Sequence, residues 1–315
     1  MFLIKEKLEK IREWLSANKL DAYIIPHDDE YLSEYVPPEN ERLEWISGFT
    51  GSAGYSIITQ DKAAIFVDGR YTVQVKDQVD SNIFDILNIP NDSWIIWLIK
   101  NCNTQSKIGY DSRLFRINWK KQFEKQLNPN FELLPITENP IDLFWTERPL
   151  SNQSKALLLD KKYSGKSSQE KRKELAKKIQ SNNCYAAFIT QLDSIAWLLN
   201  IRGNDVPCNP VLLCHGLLYS DGSFDLFIDQ NKIPNEFSDH VGPNVAILNT
   251  NDIYPQLKKC KDKNIQLDSN RSNIWVYNLI LSSGTRIIDK DDPCLLPKAC
   301  KNNTEIEGMK NCHIR

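Results

Sequence analysis

The chain has 315 residues, enough for two domains, and its 41% hydrophobic and 25% charged residues are those of an ordinary globular protein. A formal net charge of −2 offers no basic field to nucleic acid or to an acidic membrane, so neither is expected as a partner. No apolar run approaches the roughly 18 residues of a membrane span. The longest, Trp94 to Ile99, has the length of a core segment. The start, Met1 to Lys7, becomes charged too soon for a signal peptide. Eight cysteines with no C-x-x-C pair and no secretory signal read as reduced thiols, which places the protein in the cytoplasm.

Residues 5 to 17 carry Leu8, Ile11 and Leu15 at helical spacing, with Asn18 placed to end the helix in left-handed backbone. Asp21 to Pro26 reads as a buried strand, and His27-Asp28-Asp29-Glu30 as an exposed polar loop. Pro37 to Arg42 is another loop. It leads into Trp45-Ile46-Ser47-Gly48-Phe49-Thr50-Gly51-Ser52-Ala53-Gly54, an apolar run entering a loop with three glycines. Two strands follow, Tyr55 to Thr59 and Ala63 to Val67, the second closed by Asp68-Gly69-Arg70-Tyr71. Gln74 to Asp80 reads as a helix, Ile83 to Leu87 as a strand, Trp94 to Lys100 as a helix, Ile108 to Asp111 as a strand and Trp119 to Gln126 as a helix. Between 137 and 166 prolines and serines bracket Leu143-Phe144-Trp145, the best domain boundary in the chain.

The second half repeats the first. Ser167 and Glu170 form a capping box opening a helix with Leu175 and Ile179, and Asn182-Asn183 ends it. The basic residues between Lys161 and Lys178, interleaved with Glu170 and Glu174, read as a solvated helix face. Tyr185 to Thr190 answers Asp21 to Pro26 at an offset of 164, and Leu226 to Asp229 answers Ile65 to Asp68 at 161. Ile265 to Ser269 answers Ile108 to Ser112 at 157. Offsets this constant indicate one α/β fold duplicated in tandem. The counterpart of the glycine stretch is Ile195 to Asp205, where only Gly203 remains of the three glycines.

The motifs do not complete an active site. G-x-x-G-x-x-G is neither a nucleotide loop, which ends Gly-Lys-Ser/Thr, nor the G-x-G-x-x-G of a dinucleotide fold. It is a tight strand crossing. Asp68 and Arg70 could hold a carboxylate, but an Asp-Gly turn with Arg70 paired locally is the simpler reading. Adjacent residues such as His27 to Glu30 rarely converge on one ion, and His215, His240 and His313 are isolated, His215 reading as a core or edge histidine.

Several stretches, in order, resemble one family. Asn40 to Gly54 and Val67 to Tyr71 resemble the first domain of the three-domain Xaa-Pro aminopeptidases. Asp142 to Pro149 resembles their first interdomain connection, and Asp193 to Val206 with Asn209-Pro210-Val211 their second domain. Leu296 to Ala299 and Glu305 to Arg315 resemble the opening of their catalytic domain. The resemblance implies two tandem creatinase N-terminal-like (ribonuclease H-like) α/β domains, 1–150 and 151–296, each a mixed sheet flanked by helices. Residues 297–315 would begin a catalytic "pita-bread" domain that the chain lacks. It further implies that this missing domain holds two metal ions, usually manganese, on two Asp, one His and two Glu, and cleaves the bond before a proline. None of those ligands has a counterpart here, so no catalytic and no metal residue is carried over. The implied partners are the missing catalytic domain, further copies in a homo-oligomer, and proline-containing peptides. Arg42, Asp68, Arg70, Arg202 and Asp205 remain as loop-borne candidates for the substrate entrance. The competing expectations are a stand-alone module binding a peptide or protein and, last, a nuclease-like domain built on Asp68 and Asp111.

Overall fold

The computed structural model describes residues 3–89, 91–127 and 131–314. Met1, Phe2 and Arg315, used above for the two ends of the chain, lie outside the described residues. The chain divides into two compact units. Unit 1 comprises residues up to Glu30 and Glu34–Ser151, and unit 2 comprises Tyr31–Ser33 and Asn152 onward.

Unit 1 is built on β1 (Ala22–Pro26), β2 (Gly54–Thr59), β3 (Ala63–Val67), β4 (Asp85–Asn88), β5 (Ser106–Tyr110) and β6 (Phe131–Pro135). They form one mixed sheet in the order β4-β3-β2-β1-β5-β6. β1 runs antiparallel to β2, with Ala22 opposite Thr59, and parallel to β5. All five residues of β1 and of β3 are buried, as strands covered on both faces must be. On one face, Leu8, Ile11 and Leu15 of the helix Ile4–Ala17 pack with Tyr23, Ile25, Ile58 and Ile65. The other face carries an aromatic cluster, with Phe66 stacked on Tyr55 and edge-on to Trp97, and Trp94 stacked on Trp119 and tilted against Phe123.

The glycine stretch has a backbone explanation. Gly48 ends the helix Arg42–Ser47 at φ +78°, a conformation that suits glycine. A side chain at Gly54 would start 2.8 Å from the Phe66 carbonyl oxygen across the β2–β3 pair.

Unit 2 contains β7 (Leu157–Leu158), β8 (Ala186–Ile189), β9 (Ile201–Arg202), β10 (His215–Tyr219), β11 (Phe224–Phe227), β12 (Val245–Leu248), β13 (Asn264–Leu267) and β14 (Arg286–Asp289). Six of them form a sheet in the order β12-β11-β10-β8-β13-β14, the same plan position for position. β7 and β9 form a separate antiparallel pair. Asn200 takes the place of Gly48, ending the helix Leu192–Leu199 at φ 54°. The two sheets are therefore the duplicated mixed α/β architecture that the offsets implied.

Several local expectations are corrected. The left-handed residue after the helix Ile4–Ala17 is Lys19, one position beyond Asn18, whereas Asn182 and the left-handed Asn183 end the helix Ser168–Ser181 as expected. The segment 27–30 is not an exposed loop. Asp29 is fully buried and accepts from the Asn40 side chain, and Glu30 pairs with Arg42. The basic run is not wholly solvated, because Lys171 and Arg172 are buried. The Arg172 guanidinium donates to the carbonyls of Gly222, Val241 and Pro243. Within the 137–166 stretch lies a helix, Pro140–Phe144, capped by Asn139. Apart from these corrections, the helices Leu295–Ala299 and Asn303–Ile314 complete unit 2.

Candidate functional site

Within each unit the candidate residues do not converge. Arg42 is the first residue of a helix and is 1% exposed, so it is an interior residue and not a loop-borne one. Its guanidinium donates to both oxygens of Glu30 (2.6 and 3.3 Å) and both oxygens of Asp142 (2.7 and 3.0 Å). Arg148 reaches the same Asp142 at 3.2 Å, and Arg113 holds Asp111 at 2.6 Å. Asn139 joins the knot by donating to Asp111 at 3.0 Å. Burial opposes the charge on Arg42, yet its two carboxylates hold the guanidinium above its usual range. With its N–H groups committed, Arg42 has a holding role.

Asp205 is also interior. It pairs with Lys232 Nζ at 2.6 Å and accepts from the Leu213 N–H at 2.8 Å. Asp68 and Arg70 pair with each other on the turn after β3, at 2.6 Å, with Arg70 65% exposed. The hydrogen bonds from Arg70 keep the Asp68 carboxyl below its ordinary value. This is the local Asp-Gly turn that the sequence offered as the simpler reading. Arg202, on β9, is the remaining candidate. Its Nη1 donates to the carbonyls of Ile201 (2.8 Å) and Ala196 (3.2 Å), and the side chain lines a groove of about 1100 Å³.

That groove contains a motif that the sequence reading missed. Lys171 Nζ donates to the Trp197 carbonyl (2.8 Å) and to Asn200 Oδ1 (2.6 Å) while lying 4.4 Å from the centre of the Trp197 ring. Unit 1 holds the same clamp. Lys7 Nζ donates to the Trp45 carbonyl at 2.6 Å and lies 4.8 Å from that ring. Lys7 to Lys171 is the offset of 164 already found between the first strands, and Trp45 to Trp197 is 152, as is Gly48 to Asn200. The signal was present at those offsets. It was hidden because the lysines sit in charged runs, where a buried cation is not expected. Burial lowers the Lys171 ammonium to about 8, against the pull of Glu305, and burial likewise lowers Arg202.

Elsewhere the chemistry is quiet. Both ring nitrogens of His215 are buried without a hydrogen-bond partner, and burial brings its pKa down to about 4. It stacks on Tyr31 as a neutral core residue. Burial raises the thiols of Cys102, to about 11, and of Cys214, so neither is an activated thiolate. Among the described residues, no group of three or more His, Cys, Asp or Glu is arranged to hold a metal ion. Nor, among them, is any helix long and apolar enough to cross a membrane.

Comparison with known proteins assigns the architecture. The model of the creatinase/prolidase N-terminal domain matches residues 7–144, and a second model of the same description matches residues 147–305. The chain belongs to the creatinase/prolidase N-terminal domain family. Curated relatives of this tandem creatinase-type chain include a "Probable Xaa-Pro aminopeptidase P" of Neosartorya fischeri, 34% identical, with 98% of this chain and 49% of the relative covered. A protein of the same name from Penicillium rubens is 33% identical, with 98% of this chain and 52% of the relative covered. The creatinase-type chain thus spans about half the length of the curated relatives it matches. Among solved structures, an X-prolyl aminopeptidase from Caenorhabditis elegans superposes with a TM-score of 0.91 at 28% identity. All of this chain and 54% of that one are covered, and that protein is described as a cytosolic enzyme with a di-nuclear active site.

Proposed function

We propose that this chain is the non-catalytic N-terminal portion of a metal-dependent Xaa-Pro aminopeptidase, which removes an N-terminal residue preceding proline. The observation that carries the reading is coverage. A relative of that name aligns with 98% of this chain but extends to about twice its length. The residues here do not fit a metal pair, since no three potential ligands converge among those described, and no step of hydrolysis is assigned to them. The metals, manganese by family expectation, belong in this reading to a catalytic domain that the helix Asn303–Ile314 would open. The two units would wall the entrance to that domain's site and support contacts between copies in a cytoplasmic homo-oligomer.

A chimera tests this. Residues 1–315 are joined to the remaining half of the Penicillium rubens relative and assayed on an Xaa-Pro-Pro peptide with manganese. The expected outcome is cleavage by the chimera and little by that second half alone. Equal cleavage with and without residues 1–315 would contradict a role at the entrance.

A further inference from the structure

Unit 1 covers its Lys7–Trp45 clamp with its own chain. Beyond the helix Pro140–Phe144, the Trp145 ring lies 6.2 Å from that of Trp45, and Glu147 is the foremost carboxylate acting on the Lys7 ammonium. Trp45 is buried as a result.

Unit 2 repeats the clamp without the cover. Asn139-Pro140 and Asp292-Pro293 are equivalent, each first residue accepting from the N–H two positions on (Ile141 and Cys294). Asn139 donates to Asp111 and the Asp292 N–H donates to Asp268, both at 3.0 Å. The same offset of 153 takes Trp145 to Lys298, Glu147 to Cys300 and Arg148 to Lys301. That segment therefore brings neither ring nor carboxylate to Trp197. Instead Trp197 is only half-buried and lines the groove with Arg202 and Lys301.

Lys298 is taken by Asp193, and Lys301 donates to the Lys298 carbonyl. Among the described residues, no carboxylate lies within 4.0 Å of Arg202 or Lys171, and Arg202 Nε and Nη2 have no acceptor. Glu305 lines the groove, accepts from the Asn302 N–H at 2.9 Å, and acts on both cations at longer range, as Glu147 does on Lys7.

We infer that this groove docks a partner peptide presenting an aromatic ring to Trp197, as Trp145 is presented to Trp45 in unit 1, and a carboxylate to the unaccepted Nε and Nη2 of Arg202. An arginine with a free edge suits a carboxylate because two parallel N–H groups match its two oxygens. Stacking on a tryptophan already carrying a cation adds orientation. The inference does not depend on the aminopeptidase reading.

The probe is acetyl-Phe-Trp-Thr-Glu-amide, the sequence of residues 144–147, titrated calorimetrically into the 315-residue chain at low ionic strength. The peptide should bind roughly tenfold more tightly than the same peptide with glutamine for glutamate. Replacing its tryptophan by alanine should abolish binding. Arg202→Gln should erase the preference for the acid, with circular dichroism confirming that the chain is folded. Lys301→Glu, a change at an exposed site, should reduce the preference without touching the two carbonyls that Arg202 braces. No binding at millimolar peptide, equal binding of the acid and amide forms, or an undiminished acid preference in folded Arg202→Gln would each overturn the inference.

Discussion

In unit 1 the corner beyond the carboxyl ends of β1 and β5 is closed by an ion cluster around the buried Arg42, and in unit 2 the equivalent corner has no buried arginine among the described residues, its Asp268 pairing with Arg271 at 3.4 Å and accepting from the Asp292 N–H. The sheets have the same strand order, and Asp111 and Asp268 occupy the same turn, each accepting from the N–H two residues on. At the offset of 152, however, Arg42 becomes Ser194, and the carboxylate-bearing Asp142 becomes Leu295 at 153. The comparison teaches that the apolar pattern of the strands carries the topology, while the polar contents of the corner differ between the two units. The same divergence removes the ring and carboxylate that cover the clamp of unit 1.

The largest test of this contrast is Arg42→Ala, which leaves Glu30 and Asp142 without their buried cation. It should destabilise unit 1 by about 3 kcal/mol, against about 1 kcal/mol in unit 2 for Ser194→Ala. Amide hydrogen exchange read separately at β1 and β5 and at β8 and β13 distinguishes the two. Next, Trp145→Ala should make unit 1 resemble unit 2. A loss of about 2 kcal/mol is expected, with faster exchange confined to residues around the Arg42–Ser47 helix.

A third test uses Glu41, whose counterpart Asp193 is paired with Lys298. Burial, together with Glu44 and Asp29, raises Glu41 to about 7. His27, 3.5 Å away, is itself lowered by burial and supplies no charge to oppose this. The folded state therefore holds a proton that the unfolded chain has released, and stability falls as pH rises from the ordinary glutamate value through about 7. Glu41→Gln should flatten that slope and stabilise the protein above pH 7 by about 1–2 kcal/mol, solvent screening included. Denaturant midpoints across this pH range would show it. Smallest, Gly48→Ala should cost about 1 kcal/mol in left-handed strain, and Gly48→Asn, copying Asn200, less than half of that.

Much of the fold was legible because buried strands announce themselves. Ala22-Tyr23-Ile24-Ile25 and Ala63 to Val67 are continuous apolar runs, and their copies recur at a near-constant offset. The buried charges were not legible. Arg42 is interior only because carboxylates 12 and 100 residues away reach it. Lys171 is interior because the Trp197 carbonyl and Asn200 Oδ1, 26 and 29 residues on, accept hydrogen bonds from its ammonium. Local composition cannot signal such partners, and a lysine in a charged helix ordinarily faces water. For the same reason local composition does not show that Arg42 and Asp205 are buried inside their units. Arg202, at the end of a two-residue strand, was the candidate left facing open space.

The functional account is tested most directly by assaying the 315-residue chain alone on an Xaa-Pro-Pro peptide with added manganese. The prediction is no release of the first residue at any manganese concentration. Robust release, abolished by a chelator, would contradict the account by placing the metal-dependent chemistry within these two units.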